Sequence, residues 1–209
     1  MSTARAIHWD AVHRQRTPPQ TSWFRPHLDE SLRLLDTLDL PVQASVIDIG
    51  GGQSTLVDDL LARGFHDLTV LDVAAGALDD ARARLGAQAA RVRWLAADMT
   101  GAELPEAHYA LWHDRAAFHF LVDAAERDRY RHALAHALRA DGHAILATFA
   151  EDGPQRCSGL PVRRYDADAL ASEFAPLFEP VARSRELHRT QAGSEQPFTY
   201  VVLRRAAQA

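Results

Sequence analysis

Titratable side chains are unusually dense where the fourth predicted strand ends. His113, Asp114 and His119 lie close together in the sequence, with Arg115 and Phe118 between them. A histidine at neutral pH, or a carboxylate, can remove a proton from a reacting group, so these three residues are candidates for a general base. They could instead be structural, with histidines that hydrogen bond within a turn and an internal ion pair between Asp114 and Arg115.

A glycine loop follows the first predicted buried strand, Ser45–Ile49. Gly50, Gly51 and Gly52 come directly after this strand, and a helical pattern begins at Leu56. Glycines at such a point let the backbone turn sharply and approach a ligand closely, as in nucleotide-binding loops. The loop alone does not identify the ligand, because nicotinamide-dependent enzymes carry similar loops.

Three carboxylates stand where they could bind a nucleotide cofactor. Asp48 precedes the glycines, Asp72 ends the second predicted strand, and Asp98 follows the third. A carboxylate at the second strand's end can accept hydrogen bonds from ribose hydroxyls, and one after the third could accept from an adenine amino group. Each also has a structural alternative: a helix cap for Asp48, a solvated strand end for Asp72 and an ordinary loop carboxylate for Asp98.

Apolar runs alternate with helical patterns, which is typical of a parallel sheet covered by helices on both faces. Strands are predicted at Ser45–Ile49, at Leu68–Asp72, around Val92 and Trp94, at Tyr109–Trp112 and at His143–Phe149. Helical spacing predicts helices over 28–38, 56–61 and 78–85, one from 133 to near Gly142, and one over 170–174 capped by Asp166. Val181–Leu187 and Phe198–Leu203 follow without a helix between them, which predicts an antiparallel pair at one edge.

Composition narrows the possible classes of protein. The 209 residues suit one α/β domain, and 47% apolar residues are enough for a sizeable core. A net charge of −5 without an Arg-rich block disfavours non-specific nucleic-acid binding. The single cysteine excludes an internal disulfide framework, and we see no secretion signal or membrane span, so we expect a cytoplasmic protein.

The sequence resembles class I S-adenosylmethionine-dependent methyltransferases over nearly its whole length, from about Trp9 to Arg205. The resemblance rests on the glycine loop, the three carboxylates and the terminal strand pair. It implies an α/β fold with a doubly wound, Rossmann-like sheet of seven strands, mostly parallel with a C-terminal antiparallel pair. It also implies a single domain over residues 1–209, with a helical lid segment at 1–40 and a catalytic core at 45–205.

By this resemblance the cofactor is S-adenosylmethionine and the product S-adenosylhomocysteine. Gly50 and Gly52 line the methionine part and Asp48 positions its amino group. Asp72 binds the ribose, and Asp98 with Met99 frames the adenine. Further cofactor-binding candidates are Gly51, Ser54, Val73 and Trp23, of which Ser54 stands where some families carry a third glycine.

Two segments resemble a group of small bacterial methyltransferases of poorly defined substrate. They are the run His-Asp-Arg-Ala at 113–116 and the loop with Asp-Gly-Pro at 152–154 and Cys-Ser-Gly-Leu-Pro at 157–161. A long Gly/Pro loop after a strand predicts a wall of the acceptor pocket. The candidate acceptor contacts are Arg115, Phe118, Cys157 and Arg164.

The amino-terminal segment carries a second aromatic signal, with Trp9 and Trp23 as its main residues. In several small methyltransferases a similar segment closes over the cofactor, so we expect a lid that includes Trp23. The alternative is hydrophobic docking of the amino-terminal helix onto the sheet. We predict no metal site, because nothing in the sequence fixes the mutual geometry of His113, His119 and Cys157.

The predicted function is methyl transfer to a small molecule. A small thiol or hydrosulfide is favoured, because a soft nucleophile needs little beyond alignment in a dry aromatic pocket. The alternatives are a protein lysine methyltransferase with an acidic groove from Asp114, Glu151 and Asp152, a non-catalytic S-adenosylmethionine-binding protein, and a nicotinamide oxidoreductase. Asp98 and the terminal strand pair disfavour the last. We expect no nucleic-acid or membrane partner, and a monomer or homodimer.

Overall fold

The fold is built on a mixed β-sheet. The computed structural model describes residues 3–15 and 20–206. The described strands are β1 (Ser45–Ile49), β2 (Asp67–Asp72), β3 (Val92–Ala96), β4 (Tyr109–Arg115), β5 (Leu138–Phe149), β6 (Arg156–Cys157), β7 (Leu160–Pro161), β8 (Phe178–Arg189) and β9 (Glu195–Arg205). Within the described residues, seven strands form one sheet in the order β3-β2-β1-β4-β5-β9-β8, while β6 and β7 form a small separate hairpin.

Strand direction matches the predicted fold class. Strands β1 to β5 run parallel to one another, and β9 is antiparallel to both β5 and β8. The chain passes from β1 outward to β2 and β3, then returns to β4 on the other side of β1. A crevice therefore opens at the carboxyl ends of β1 and β4, where such sheets bind ligands. The predicted mostly parallel sheet with a terminal antiparallel pair is confirmed.

Helices cover both faces of the sheet. They are α1 (Thr3–Gln15), α2 (Asp29–Asp36), α3 (Leu56–Ala62), α4 (Ala75–Leu85), α5 (Ala124–Ala137) and α6 (Ala167–Ser172). One apolar core packs α2 and α3 against the sheet, and the other packs α5 and α6 against the opposite face. Asp166 caps α6 as predicted, with its side chain accepting from the Ala169 amide at 2.7 Å. No helix in the described ranges is long and apolar enough to cross a membrane.

Several element boundaries differ from the prediction, most clearly at the end of β4 and between α5 and β5. Strand β4 continues through Arg115 instead of ending at Trp112. The polar side chains of its last three residues can be buried because each has a partner inside the protein. Helix α5 ends at Ala137, well before Gly142. Leu138 is already extended, with φ −81° and ψ 136°, and pairs with Tyr109, which carries the chain directly into β5.

Helix α1 lies across the carboxyl ends of the first strands. Asp10 accepts a hydrogen bond from the Gly76 amide at the start of α4, and the Trp9 ring lies 5.0 Å from the Phe120 ring beyond β4. The helix therefore forms a roof over the crevice. The single-domain assignment, with a lid segment over 1–40 and a core over 45–205, stays a prediction.

Candidate active site

A cavity opens beneath α1 at the carboxyl ends of β1 to β4. Its walls come from the glycine loop, the turns after β2, β3 and β4, the segment before α2 and the loop after β5. The predicted site residues that line it are Trp23, Asp48, Gly50, Gly51, Ser54, Asp72, Val73, Asp98, Met99, His113, Arg115 and Cys157.

The glycine loop forms a cradle that side chains would fill. Gly50 has φ +67°, and a Cβ there would lie 2.8 Å from Ala117 Cβ. A Cβ on Gly51 would lie 2.7 Å from the carboxyl carbon of Asp48, and one on Gly52 would lie 2.7 Å from Asp72 Oδ2. Glycine is therefore required at these three positions, because a side chain would overlap Ala117, Asp48 or Asp72.

Ser54 takes the place of a third glycine without cost to the loop. Its hydroxyl accepts a hydrogen bond from the Leu56 amide at 3.1 Å, at the start of α3. A serine here satisfies one of the amides that the first turn of a helix leaves free.

Asp48 points one carboxylate oxygen into the protein and keeps the other free. Its Oδ1 lies 2.7 Å from His113 Nδ1, and both side chains are almost fully buried. Its Oδ2 is buried without a hydrogen-bond partner among residues 3–15 and 20–206, and Asp48 lines the cavity. A buried carboxylate oxygen without a donor is costly, so this position suits a cationic donor from a ligand.

Asp72 is held by the backbone. Its Oδ2 accepts from the Gly52 amide at 2.9 Å and its Oδ1 from the Ala74 amide at 2.8 Å. Burial raises the pKa of this carboxyl, although the two amides act in the opposite direction. Each oxygen retains a further lone pair, so Asp72 and the adjacent Val73, both in the cavity wall, fit the expected ribose site.

Asp98 has a partner that the sequence did not predict. Arg5 Nη1 lies 2.9 Å from its Oδ2, while the backbone and hydroxyl of Thr100 both donate to its Oδ1. Burial alone would raise the pKa of Asp98, but the Thr100 hydrogen bonds and the Arg5 charge outweigh it and lower the pKa. Arg5 also binds Glu126 at 2.7 Å, so it ties α1 to two parts of the core.

One face of α1 contributes cavity residues that the predicted site omitted. Arg5, Trp9 and His13 all line the cavity. Their spacing of four residues puts them on one side of a helix, and this spacing was the available signal in the sequence. The prediction of an amino-terminal lid identified Trp9 and Trp23 but not the two charged or titratable neighbours.

The far end of the cavity is aromatic. The Trp23 ring packs edge-on against Trp9 at 6.0 Å, and Trp9 packs against Phe120. Arg115 lies behind them with its side chain 6% exposed, and donates to the Tyr200 hydroxyl at 3.0 Å and to the Trp23 carbonyl at 3.3 Å.

Arg115 also contacts two residues of the last two strands. Its guanidinium lies 4.3 Å from the centre of the Phe198 ring and 3.6 Å from the Glu186 carboxylate. Its buried Nη2 has no hydrogen-bond partner in the part of the chain that the structure describes. Cys157 completes this end of the cavity and is 9% exposed.

The assignment of Asp114 as a catalytic residue is corrected. Asp114 is fully buried and accepts hydrogen bonds from the Ala117 and Phe118 amides and, at 2.7 Å, from the Tyr130 hydroxyl. It holds the turn after β4 together and faces the core that contains α5. It does not pair with Arg115, whose guanidinium lies on the other face of the strand.

Three further predicted residues lie away from the cavity. His119 is fully buried against Phe149, accepts from the Phe149 amide at 3.3 Å, and has its pKa lowered to about 3 by burial and by the charge of Arg115. Phe118 is part of the aromatic core beside Tyr130. Arg164 donates to the Gly153 carbonyl at 2.9 Å and so stabilises the loop after β5. These contacts are structural, and the catalytic and acceptor roles predicted for these residues are withdrawn.

Comparison with known proteins agrees with this geometry. Residues 46–142 match the family model of a methyltransferase domain. A structure from work on the conversion of a disulfide bond into a thioacetal group during echinomycin biosynthesis is 19% identical, with a TM-score of 0.78 over 98% of this chain and 93% of the other. No curated protein sequence gave a significant match.

Two more solved structures share the fold. The 1,6-didemethyltoxoflavin-N1-methyltransferase of Burkholderia thailandensis, solved with S-adenosylhomocysteine, is 22% identical with a TM-score of 0.75 over 98% of this chain and 89% of its own. An S-adenosylmethionine-dependent methyltransferase from Anabaena variabilis is 17% identical with a TM-score of 0.73, over 96% and 95%. Residues 46–142, just under half of the chain, therefore match a methyltransferase domain, and the fold is the one that S-adenosylmethionine-dependent methyltransferases share.

Proposed function

We propose that this methyltransferase acts on a small molecule and that the acceptor is a small thiol or hydrosulfide. The observation that carries the proposal is the lining of the cavity beyond the glycine loop. Trp9, Trp23 and Phe120 supply aromatic surface, and Cys157 supplies a soft neutral thiol. Arg115 has Glu186 as its ion-pair partner, and it supplies a buried guanidinium nitrogen without a hydrogen-bond partner among the described residues. This combination suits a compact, polarisable nucleophile that reacts as an anion.

A thiolate acceptor would not need the bases predicted from the sequence, His113 and Asp114. The thiolate is the reactive form of a thiol, and a nearby guanidinium favours it by lowering the thiol pKa. Both ring nitrogens of His113 already have partners, and Asp114 is buried elsewhere. Burial raises the pKa of the Cys157 thiol, so this residue stays protonated and contacts the acceptor without competing for the methyl group.

Residues of the chain would bind the cofactor and align the acceptor with its methyl group. When bound, S-adenosylmethionine supplies a methyl group on a positively charged sulfonium. Asp48, Asp72 and Asp98 would hold its amino group, ribose and adenine, and the roof formed by α1 excludes water. Alignment of this kind contributes roughly 7–11 kcal/mol to lowering a reaction barrier.

The lysine methyltransferase alternative has less support. Glu151 and Asp152, which would have formed an acidic groove, both pair with Arg185 at the surface. Asp114, the third member of that groove, lies in the core. With α1 over the cavity, a small acceptor fits better than a peptide.

The test is a methyl-transfer assay with purified protein and a matched panel of acceptors. The panel contains hydrosulfide, a short alkanethiol, the alcohol and amine of the same carbon skeleton, and a lysine peptide. We expect product from the sulfur nucleophiles only. Arg115→Met should lower their kcat/KM about tenfold, with a smaller loss at higher pH where the free thiol ionises unaided.

Two controls make the result specific. Arg139→Met removes a surface guanidinium that pairs with Asp141, and should leave the rate unchanged. Cys157→Ser should retain activity within a few-fold, because the thiol only contacts the acceptor. Methylation of the peptide, alcohol or amine in preference to the thiols would overturn the acceptor assignment.

A further inference from the structure

A buried chain of polar side chains begins at the cofactor site. Asp48 on β1 lies 2.7 Å from His113 Nδ1 on β4, and His113 Nε2 lies 2.9 Å from the Ser31 hydroxyl on α2. The three side chains are nearly or fully buried, with exposures of 3%, 2% and 0% for Asp48, His113 and Ser31.

The order of carboxylate, imidazole and hydroxyl is that of a hydrolase triad, but its placement excludes that chemistry. A nucleophilic hydroxyl must contact a substrate, whereas Ser31 lies on the buried face of α2 and is fully buried. His113 also has both nitrogens occupied. The array can therefore hold a group in place but cannot attack one.

The group it holds is the Asp48 carboxylate. The last torsion of an aspartate is broad, so one oxygen must be fixed before the other has a defined position. The bond at 2.7 Å to His113 has the length of a charge-assisted hydrogen bond. This bond fixes Oδ1. Oδ2 lies beside the glycine loop, where it is buried and has no hydrogen-bond partner among the described residues.

We propose that His113 is a positioning residue, braced by Ser31, that orients Asp48 so that its free oxygen binds the ammonium group of the cofactor's methionine part. The proposal concerns the cofactor and is independent of the acceptor's identity. It replaces the predicted role of His113 as a general base.

The test measures binding of two ligands by calorimetry. S-adenosylhomocysteine carries the ammonium group, whereas 5′-methylthioadenosine has the same adenine and ribose without the amino-acid part. A matched pair of variants tests the two hydrogen bonds of the His113 ring one at a time. In His113→Asn the amide nitrogen sits where Nδ1 was and can still bind Asp48. In His113→Gln it reaches the Nε2 position and can bind only Ser31.

We expect His113→Gln to raise the Kd of S-adenosylhomocysteine about tenfold or more and to leave that of 5′-methylthioadenosine within about twofold. His113→Asn should restore the first Kd to within about threefold of the wild type, and Ser31→Ala should raise it about threefold. In an Asp48→Asn background, His113→Gln should have no further effect, because the residue acts through Asp48.

Three results would overturn the proposal. One is equal weakening of both ligands by His113→Gln, which would mean that His113 only supports the fold. Another is unchanged S-adenosylhomocysteine binding in that variant. The last is a full, additive effect of His113→Gln in the Asp48→Asn background. If His113→Gln fails to fold, the same comparison of ligands is made with Ser31→Ala, for which equal weakening of both ligands, or none, is again contradictory.

Discussion

Replacing Asp114 with asparagine should show that the ionised Asp114 carboxylate lowers the free energy of unfolding near neutral pH. Asp114 is fully buried on β4 and is the acceptor for two amides of the following turn and for the Tyr130 hydroxyl. Burial raises its pKa to about 6, against 3.8 for an exposed aspartate, even though these hydrogen bonds favour the charged form. Asparagine keeps the size of the side chain and removes the ionisation.

The raised pKa fixes the sign and size of the expected effect. Well below pH 3.8 the carboxyl is protonated in both the folded and the unfolded chain, so its contribution to stability is fully present. As the pH rises toward 6, the unfolded chain ionises first and folding loses stability. Since one pKa unit corresponds to about 1.4 kcal/mol, the wild type should lose about 3 kcal/mol relative to Asp114→Asn.

The assay is urea unfolding of both proteins at several pH values between about 4 and 7. All other titrating groups are shared, so they cancel in the difference between the two free energies of unfolding. A difference that does not change with pH would show that the pKa of Asp114 is not raised. A wild type that gains stability relative to the variant toward pH 7 would show that the hydrogen bonds outweigh burial. Either result would refute the reasoning.

Three further predictions address the cavity and its surroundings. Gly51→Ala should weaken S-adenosylhomocysteine binding at least about tenfold in calorimetry while the protein stays folded by circular dichroism, because the new Cβ overlaps the Asp48 carboxylate; binding within twofold would contradict this. Arg5→Gln breaks the ion pair with Asp98, so stopped-flow fluorescence should show several-fold faster ligand release, whereas an unchanged release rate would mean that α1 does not retain the ligand. His119→Gln should lower the free energy of unfolding by about 2–4 kcal/mol. It should not alter the pH profile of activity, because the wild-type ring is neutral above about pH 4. A changed profile would restore a catalytic role for His119.

The architecture could be predicted from local sequence patterns, and so could the placement of three carboxylates around one cavity. The alternation of apolar runs and helical patterns predicts the parallel sheet, and the missing helix before β9 predicts the antiparallel pair. Asp48, Asp72 and Asp98 lie at or just beyond the carboxyl end of a strand, and parallel strands bring these ends together. These features depend on contacts within a strand and its adjoining turn, so local sequence is enough to predict them.

The surroundings of the titratable residues at the end of β4 could not be predicted from the sequence. Neighbouring residues of a strand point to opposite faces of the sheet. His113 therefore faces Ser31 on α2, while Asp114 faces Tyr130 on α5. A dense run of titratable groups looks like one cluster in the sequence, but the sheet divides it between two cores.

The same holds for the partners that complete the cavity. Arg5 meets Asp98 across 93 positions of sequence, and His113 meets Asp48 across 65. Whether Arg5 is a surface charge or the partner of Asp98 depends on how α1 packs over the sheet, which the spacing of residues within α1 does not specify. Contacts of this range depend on how several elements pack together, and for that reason they are visible only in the folded chain.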